Sequence, residues 1–315
     1  MKHRLVTRSD FDGLVCAVLL RKLDLIDDIL FVHPKDVQDG TVEIGPGDIL
    51  TNLPYRPEAH LVFDHHHSEA ERVGGHHPNH VLLPTAPSAA RVVYEYYGDL
   101  EQFTEISVNP ALMEAVDKAD SAQYEMGDIL DPEGWTLLNF LMDSRTGLGR
   151  FREFRVSNYQ LMMELIDYCI EHQDVNDILA LPDVAERVEL FQEHKPRFIE
   201  QLKRCSRLEG DVVVVDLREE ETIHAGNRFM VYALFPQARV SVHVIWGRDR
   251  QNTVLAVGKS IVDRTSPADI GAVMLRHGGG GHQAAGTCQV AHEDFDATLA
   301  DVVASVGAPR AALAA

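Results

Sequence analysis

Two aspartates stand close together in the segment Ser9-Asp10-Phe11-Asp12-Gly13, after an apolar strand pattern and before a helical pattern. Carboxylates at this spacing in a turn can point at one centre, where they repel each other unless a cation neutralises them. The alternative is that Asp10 caps a helix and Asp12 lies in a turn, which is ordinary at a helix start. Asp10 and Asp12 are therefore candidate metal ligands.

A second group of polar side chains, Asp64, His65, His66 and His67, follows the apolar run LVF. A carboxylate and imidazoles at the end of a strand suit Mn²⁺, Co²⁺ and Zn²⁺, which accept mixed Asp and His ligands. For Asp64 and His65, which accompany the upstream aspartates, metal binding is the favoured interpretation. For His67 a solvated histidine-rich loop is favoured instead.

A third candidate segment is Asp117-Lys118-Ala119-Asp120-Ser121, at the end of a predicted helix. Either Asp117 or Asp120 could complete a cluster of carboxylates and imidazoles. Alone, the segment would be only the polar end of a helix, so its metal role depends on the other two groups.

Four consecutive glycines run from Gly278 to Gly281 and are followed by His282. Glycines beside a predicted helix start expose backbone N–H groups that can hold an anion. Gly279, Gly280 and Gly281 are therefore candidate phosphate-binding residues, and His282 could hydrogen-bond a phosphate oxygen. The alternative is a flexible loop, but the helical pattern before it and the strand pattern after it favour an ordered one.

Basic side chains offer further contacts to a phosphate. Arg145 lies beside glycines in the segment SRTGLGR and suits a bidentate contact. Arg228, Lys259 and Arg264 lie in the same half of the chain as the glycines. For each of them a surface loop or an exposed salt bridge is an equally good interpretation.

The elements that must position these residues alternate along the first half of the chain. Strand patterns fall near residues 4–7, 29–33, 48–52 and 60–63, with helical patterns at 13–23 and 87–97. This alternation predicts an α/β fold with a mostly parallel sheet flanked by helices. Ligands bind at the carboxyl ends of the strands in such sheets, which is where the aspartates and histidines fall.

The second half has a different pattern. It is helical from about 132 to 208, and strand patterns return at 211–217, 240–246 and 253–258, with helices at 227–235 and 268–276. We therefore predict a metal-binding domain over residues 1–180, a helical connector over 181–205 and a smaller C-terminal α/β domain over 206–315. The chain length of 315 residues is typical of two domains.

The chain is acidic, with 49 Asp and Glu against 29 Lys and Arg and a formal net charge of -20. Such a chain repels long polyanions, which argues against binding long duplex DNA but not against a small phosphorylated ligand. The sequence contains neither an apolar run of about 18 residues nor a signal-peptide core, so no membrane span or secretion is expected. Four widely spaced cysteines predict reduced thiols in the cytoplasm.

Together these segments resemble the DHH phosphoesterase superfamily. Asp10–Gly13 matches its first motif, Asp64–His66 its signature motif and Asp117–Ser121 its later aspartate motif. Gly278–Gly286 is similar to the glycine motif of the accessory domain called DHHA1. The motifs occur in the expected order over nearly the whole chain, and this combination of motifs is highly specific for the superfamily. The RecJ-like group is the most similar; it includes exopolyphosphatase-related proteins and oligoribonucleases that degrade very short RNAs.

The resemblance implies a two-domain phosphoesterase with a cleft between the domains and with Mn²⁺, as one or two ions, in the N-terminal domain; Mg²⁺ or Co²⁺ could serve instead. It assigns metal binding to residues of the first three motifs: Asp10, Asp12, Asp64, His65 and Asp120. Asp64 and His65 would take part in catalysis through the ions, and His66 would contact the scissile phosphate. Water activated by the metal would attack the phosphorus in line.

Two positions depart from the superfamily pattern. Many members have a histidine four residues before the first aspartate, where this chain has Val6. The second motif normally supplies an aspartate that bridges the ions, but here the strand ends in Asn52, a neutral and weaker ligand. Asp48 stands at the start of that strand and is a poor substitute. The resemblance therefore implies a first metal site that is weak or absent.

The favoured function is metal-dependent hydrolysis of short oligonucleotides or small nucleotides. Within the enzyme class, the alternative is an exopolyphosphatase- or pyrophosphatase-type enzyme that hydrolyses polyphosphate or pyrophosphate. Outside it, the alternative is a nucleotide- or phosphate-binding protein with a partly decayed metal site, which Val6 and Asn52 would suit. Superfamily relatives are often dimers, so a homodimer is expected by analogy.

Overall fold

The structure of the protein, a computed structural model, describes residues 2–98 and 107–307. Contacts along the chain divide it into two compact units. The first unit comprises residues 1–123, 132–144 and 148–189, and the second comprises residues 124–131, 145–147 and 190–315. Each unit contains its own sheet.

The sheet of the first unit is parallel throughout. Its strands are β1 (His3–Thr7), β2 (Ile26–Phe31), β3 (Asp48–Thr51), β4 (Leu61–Asp64) and β5 (His80–Leu82). Their order is β2-β1-β3-β4-β5, so the direction of chain progression reverses between β1 and β3. The predicted α/β fold with a mostly parallel sheet is confirmed.

Helices follow most of these strands. They are α1 (Phe11–Lys22), α2 (Pro34–Gln38), α3 (His67–Val73), α4 (Ala89–Tyr97) and α5 (Pro110–Asp120). The short helix α6 (Met126–Leu130) belongs to the second unit, whereas α7 (Gly134–Met142), α8 (Asn158–Glu171) and α9 (Val175–Leu179) belong to the first. Helix α10 (Pro182–Cys205) is divided between the two units.

Helix α1 lies in the core of the first unit. Every residue from Phe11 to Leu20 is buried. A helix that is apolar on every side must be covered on every side, and α4, α5 and α8 pack against this one. Its burial carries Asp12 into the interior, where carboxylates are rare unless they have a partner.

The second strand begins earlier than the sequence indicated. We predicted a strand over 29–33, whereas β2 covers Ile26–Phe31. Asp27 and Asp28 are exposed on this strand, which lies at the edge of the sheet and pairs with β1. Edge strands tolerate charged side chains, and these obscured the apolar pattern.

The second unit is built on a mixed sheet. Its strands are β6 (Ser206–Glu209), β7 (Val212–Asp216), β8 (Val240–Trp246), β9 (Thr253–Lys259), β10 (Gly280–His282) and β11 (Ala285–Val290). The order is β10-β11-β9-β8-β7-β6. Among the described strand pairs, β7 with β8 is parallel and the others are antiparallel. The helices are α11 (Met230–Leu234), α12 (Ile270–Arg276) and α13 (Phe295–Val306), and the last two share a core cluster with β8.

Two helical predictions in the second half are wrong in their extent. The helical pattern was expected to reach 208, but α10 ends at Cys205 and β6 pairs antiparallel with β7. The predicted helix over 227–235 is α-helical only over Met230–Leu234. At the predicted start, the side-chain oxygen of Asn227 accepts the backbone N–H of Phe229, and this local hydrogen bond is an alternative to helical hydrogen bonding.

Among the described residues, no helix is long and apolar enough to cross a membrane. The four cysteines are free thiols, and Cys16, Cys169 and Cys288 are buried. Short 3₁₀ turns complete the structure at Ser144–Thr146, Leu148–Arg150, Arg248–Arg250 and His292–Asp294.

Candidate functional site

The carboxyl ends of three neighbouring strands bring the first polar residues together. Thr7 at the end of β1 pairs with Thr51 on β3, which pairs with Phe63 on β4. The first motif (Asp10–Gly13) follows the end of β1, Asn52 follows Thr51, and Asp64 follows Phe63. The first motif and Asn52 follow β1 and β3, between which the strand order reverses, and this is the usual ligand position in an open α/β sheet. Asp64 ends the next strand, β4.

Asp10 caps helix α1. Its side chain accepts the backbone N–H of Gly13 at 3.0 Å, and its Oδ2 lies 3.0 Å from Nε of Arg8. A Cβ on Gly13 would stand 2.0 Å from the carbonyl oxygen of Arg8, so this tight turn requires glycine. The capping interpretation of Asp10 is therefore correct.

Asp12 is held at the start of a second helix. It is 2% exposed, and its carboxylate accepts the backbone N–H groups of Ala89 at 3.0 Å and Ala90 at 2.8 Å, in the first turn of α4. Burial, and then the charges of Asp120 and Asp10, raise the pKa of Asp12 well above its ordinary value. A divalent cation would remove this electrostatic conflict.

Asp64 is completely buried at the end of β4. Its Oδ1 accepts three N–H groups: the backbone N–H of His65 at 2.8 Å, that of His66 at 3.3 Å and the Nδ1 of the His66 ring at 2.7 Å. Its Oδ2 is buried without a hydrogen-bond partner in the described structure. An unpartnered buried carboxylate oxygen is costly, and it fits a cation ligand.

His65 is oriented by the backbone. Its Nδ1 lies 3.1 Å from the carbonyl oxygen of Ala86, to which it donates, and this leaves Nε2 2.9 Å from Oδ2 of Asp120. A metal-binding histidine typically donates the N–H of its other ring nitrogen to a backbone carbonyl or carboxylate, as Nδ1 does here to Ala86. Burial opposes the protonated ring, but the hydrogen bond and charge of Asp120 outweigh it and raise the pKa of His65 to about 9.

These residues form a compact donor set. One ligand atom from each of Asp12, His65 and Asp120 lies within 4.8 Å of the other two. The set combines carboxylate oxygens with an imidazole nitrogen, which suits Mn²⁺ and related ions. The residues present therefore fit a divalent cation.

Asp117, the alternative to Asp120, does not belong to this donor set. Its carboxylate accepts the hydroxyl of Ser88 at 2.7 Å and the Nε of Arg91 at 2.9 Å. The sequence left the choice open because both aspartates lie in the last turn of α5. Asp117 serves to fix the start of α4, where Ser88 also caps the helix by accepting the N–H of Arg91.

His66 lies beside the donor set. Its ring centroid is 4.7 Å from that of His65, and its side chain is 28% exposed. The hydrogen bond from its Nδ1 to Asp64 fixes the orientation of the ring beside these ligands. His67 begins helix α3, and its side chain lies outside the described part of the structure.

The two departures from the superfamily pattern lie in different surroundings. Val6 is fully buried in an apolar cluster with Val37, Leu50 and Val62. Asn52 is 1% exposed, and neither its Oδ1 nor its Nδ2 has a hydrogen-bond partner in the described structure. The sequence identified Asn52 as a weak ligand but could not reveal that both ends of its amide are buried and unpartnered.

The glycine segment is ordered, but not as predicted. The expected helix start beside the glycines is wrong: α12 ends at Arg276, and Gly280–His282 pair with Ala285–Thr287 as antiparallel strands. A Cβ on Gly279 would stand 2.0 Å from the carbonyl oxygen of Thr287, so this glycine is needed for packing. Gly280, by contrast, faces open space.

The basic candidates all belong to the second unit. The backbone N–H of Lys259 donates to the carbonyl of Ala284 at 2.8 Å, which places Lys259 beside the glycine hairpin. Arg264 is exposed, and its Nε donates to the carbonyl of Ile261 at 3.2 Å. Arg145 is exposed on a 3₁₀ turn.

Sequence reasoning identified Arg228 but missed the polar residues His243, Ser241 and Tyr232, which lie on or beside β8. The guanidinium of Arg228 lies 4.0 Å from the ring centroid of Phe229. Burial and the charge of Arg228 lower the pKa of His243 to about 4. Ser241, two residues earlier and therefore on the same face, hydrogen-bonds the hydroxyl of Tyr232 at 2.8 Å. The alternation of polar and apolar residues in VSVHVIW was the available signal.

The chain is similar to several proteins of known structure. The pGpG-specific phosphodiesterase PggH from Vibrio cholerae shares 56% sequence identity, covering 96% of this chain and 100% of its own, with a TM-score of 0.80. CDC45 from Entamoeba histolytica has the same fold at 8% identity, covering 97% and 95% of the two chains, with a TM-score of 0.52. RecJ from Thermus thermophilus in complex with Mg²⁺ covers 96% and 49%, at 17% identity and a TM-score of 0.48. No protein-family model and no curated protein matches the sequence.

The parallel sheet and the carboxylate and histidine residues at its carboxyl end define a phosphoester hydrolase. The 56% sequence identity with PggH over 96% of the chain shows the family: the chain belongs to the DHH/DHHA1 phosphoesterase superfamily. The resemblance given by the four motifs is thereby confirmed.

Proposed function

We propose that this chain is a metal-dependent phosphodiesterase that cleaves very short oligonucleotides, with the dinucleotide pGpG as the substrate to test first. The observation that carries the proposal is the donor set of Asp12, His65 and Asp120, together with the buried Oδ2 of Asp64, which has no hydrogen-bond partner among the described residues. The substrate follows from the similarity to PggH, which is a pGpG-specific phosphodiesterase.

The metal-binding residues in this proposal are those that the first three motifs supply: Asp10, Asp12, Asp64, His65 and Asp120. Bound Mn²⁺ would activate a water molecule and stabilise the attacking and leaving oxygens. The protein would contribute the negative charge, the backbone N–H groups that orient Asp12 and the carbonyl that selects the tautomer of His65.

We assign the contact with the scissile phosphate to His66. The hydrogen bond to Asp64 Oδ1 holds the ring in place, and an imidazole N–H can donate to a phosphoryl oxygen. Asp64 would thus have two tasks, since Oδ1 orients His66 while Oδ2 remains for the ion.

The second unit would bind the rest of the substrate. Its candidate groups are the basic and glycine residues found from the sequence: Arg145, Arg228, Lys259, Arg264, Gly279, Gly280, Gly281 and His282. We propose that this unit corresponds to the DHHA1 domain, with the domain limits predicted from the sequence, residues 1–180 and 206–315. The net charge of -20 disfavours long nucleic acid, which agrees with a substrate of a few nucleotides.

Activity with defined substrates tests the proposal. Purified protein with Mn²⁺, Mg²⁺ or Co²⁺ should convert pGpG or pApA into mononucleotides, and chelation should stop the reaction. Release of inorganic phosphate from polyphosphate, without cleavage of the dinucleotides, would replace the proposal by the exopolyphosphatase alternative. Tight binding of pGpG without turnover at any metal concentration would indicate a binding protein.

A matched pair of glycine substitutions separates packing from substrate contact. Gly279→Ala should lower the free energy of unfolding by about 1–3 kcal/mol, because its methyl group collides with the carbonyl of Thr287. Gly280→Ala meets open space, so thermal unfolding should stay near that of the wild type, while the KM for pGpG rises roughly tenfold if a phosphate approaches this backbone. An unchanged KM for Gly280→Ala would remove Gly280 from the substrate site.

A further inference from the structure

Asn52 presents a conflict between its burial and its chemistry. The residue is 1% exposed, yet its side-chain oxygen and nitrogen both lack a hydrogen-bond partner in the described structure. Burying an amide without compensation is unfavourable, and such groups in native proteins generally have a role beyond packing. The other buried asparagines differ: Asn109 and Asn227 use both ends of their amides.

The position of Asn52 is fixed by the backbone. Its N–H donates to the carbonyl of Phe63 at 3.0 Å, immediately beyond the β3–β4 pairing of Thr51 with Phe63. Its backbone is therefore adjacent to that of Asp64, whose Oδ2 is also buried and has no partner in the part of the chain that the structure describes. Its φ of 55° is a left-handed conformation, which asparagine tolerates better than most residues. The amide of Asn52 and the Oδ2 of Asp64, neither with a partner in the described structure, thus occur on neighbouring strands at the carboxyl edge of the sheet.

The two ends of the amide require ligands of opposite kind. A divalent cation can take Oδ1 of Asn52 together with Oδ2 of Asp64, but it cannot accept a hydrogen bond from Nδ2. Nδ2 needs an oxygen acceptor, and the chain supplies none in its described part. A phosphoryl oxygen next to the cation has the required charge and position.

We propose that Asn52 links the cation and the substrate: Oδ1 coordinates the ion, and Nδ2 donates to a phosphoryl oxygen of the substrate. This inference rests on the proposed function and deepens it. An aspartate at position 52 would bind the cation more strongly through its charge, but it would have no proton to donate and would repel the phosphate. Asparagine therefore weakens metal binding and strengthens phosphate binding at the same position.

The substitution Asn52→Asp separates the two roles, because it should change them in opposite directions. Mn²⁺ should bind the substrate-free variant about tenfold more tightly, since an added carboxylate raises the charge of the site. At saturating Mn²⁺, the mononucleotide product GMP should bind about tenfold or more weakly, since a hydrogen bond to a charged group is lost and a repulsion is added. Calorimetric titration of Mn²⁺ and then of GMP measures both.

Asn52→Gly is the second variant, because glycine adopts the left-handed conformation without strain and adds no charge. It removes both ends of the amide, so Mn²⁺ and GMP should both bind more weakly than to the wild type. Asn109→Asp is the matched control: Asn109 is 7% exposed, caps α5 in the same unit and should leave both affinities unchanged.

The outcomes are distinguishable from a failure of the proposed function. A wild-type protein that neither binds Mn²⁺ nor cleaves pGpG would refute the function itself. A wild type that does both, with an Asn52→Asp variant that binds GMP as tightly as before or Mn²⁺ no more tightly, would overturn only the role of Asn52. Unchanged affinities in Asn52→Gly would do the same.

Discussion

Asp64→Asn should lower kcat/KM for pGpG by at least about 10³-fold, equivalent to roughly 4 kcal/mol of lost transition-state stabilisation. The new amide keeps the shape of the side chain, and its oxygen can still accept the three N–H groups that now bind Oδ1. What disappears is the negative charge, and an NH₂ group replaces the partnerless Oδ2. The metal-free variant should therefore remain folded, with its bound Mn²⁺ strongly reduced.

Asp48→Asn is the matched control for this substitution. Asp48 is also buried, at 5% exposure, but it lies at the opposite end of the sheet from Asp64, where it binds Arg4 and the backbone N–H of Gly45. The Asp48→Asn variant should lose about 1–2 kcal/mol of stability, since Arg4 loses a charged partner, while the protein keeps its activity and its Mn²⁺ content. If Asp64→Asn retained wild-type turnover and bound Mn²⁺, the metal site would have to lie elsewhere.

The parts of the site that the sequence predicted are those that depend on strand ends. Apolar runs place Asp64 and the segment of Asp10 and Asp12 directly at the carboxyl ends of buried strands, and parallel strands bring those ends to one edge. Asn52 was found through the superfamily resemblance, which expects an aspartate at the end of the strand that begins at Asp48. No knowledge of side-chain packing was needed for these positions.

The choices that the sequence left open depend on tertiary contacts. Asp117 and Asp120 occupy the same turn of α5, and only the position of Arg91 on α4 distinguishes the ion-paired residue from the one beside His65. The glycine hairpin was mistaken for a helix start because a run of glycines permits several conformations. Its strand pairing with Ala285–Thr287 is set by contacts with a later segment of the chain.

The metal-free protein should lose about 3 kcal/mol of stability as the pH rises from 6.5 towards 9. The pKa of His65 is about 9 in the folded protein and near 6.5 when unfolded, so the folded state binds the proton more tightly. The stabilisation of the folded state by protonated His65 is complete below pH 6.5 and is lost as the pH rises through 9. The raised pKa of Asp12 acts in the same direction from lower pH, because its charged form is disfavoured only in the folded state.

Mn²⁺ should reverse this trend, because it takes the place of the proton on His65 and neutralises Asp12 and Asp120. The rise in the free energy of unfolding on adding Mn²⁺ to chelator-treated protein should therefore be larger at pH 8.5 than at pH 6.0, as urea titrations can measure. The other histidines with resolved shifts cannot produce this decline in stability between pH 6.5 and 9, since their pKa values are lowered: His60, His80, His194, His224 and His243.

In the metal-free His65→Gln variant, the decline in the free energy of unfolding above pH 6.5 should be absent. If it declined as steeply as the wild type, or if Mn²⁺ stabilised the wild type equally at both pH values, His65 would not share its site with the ion.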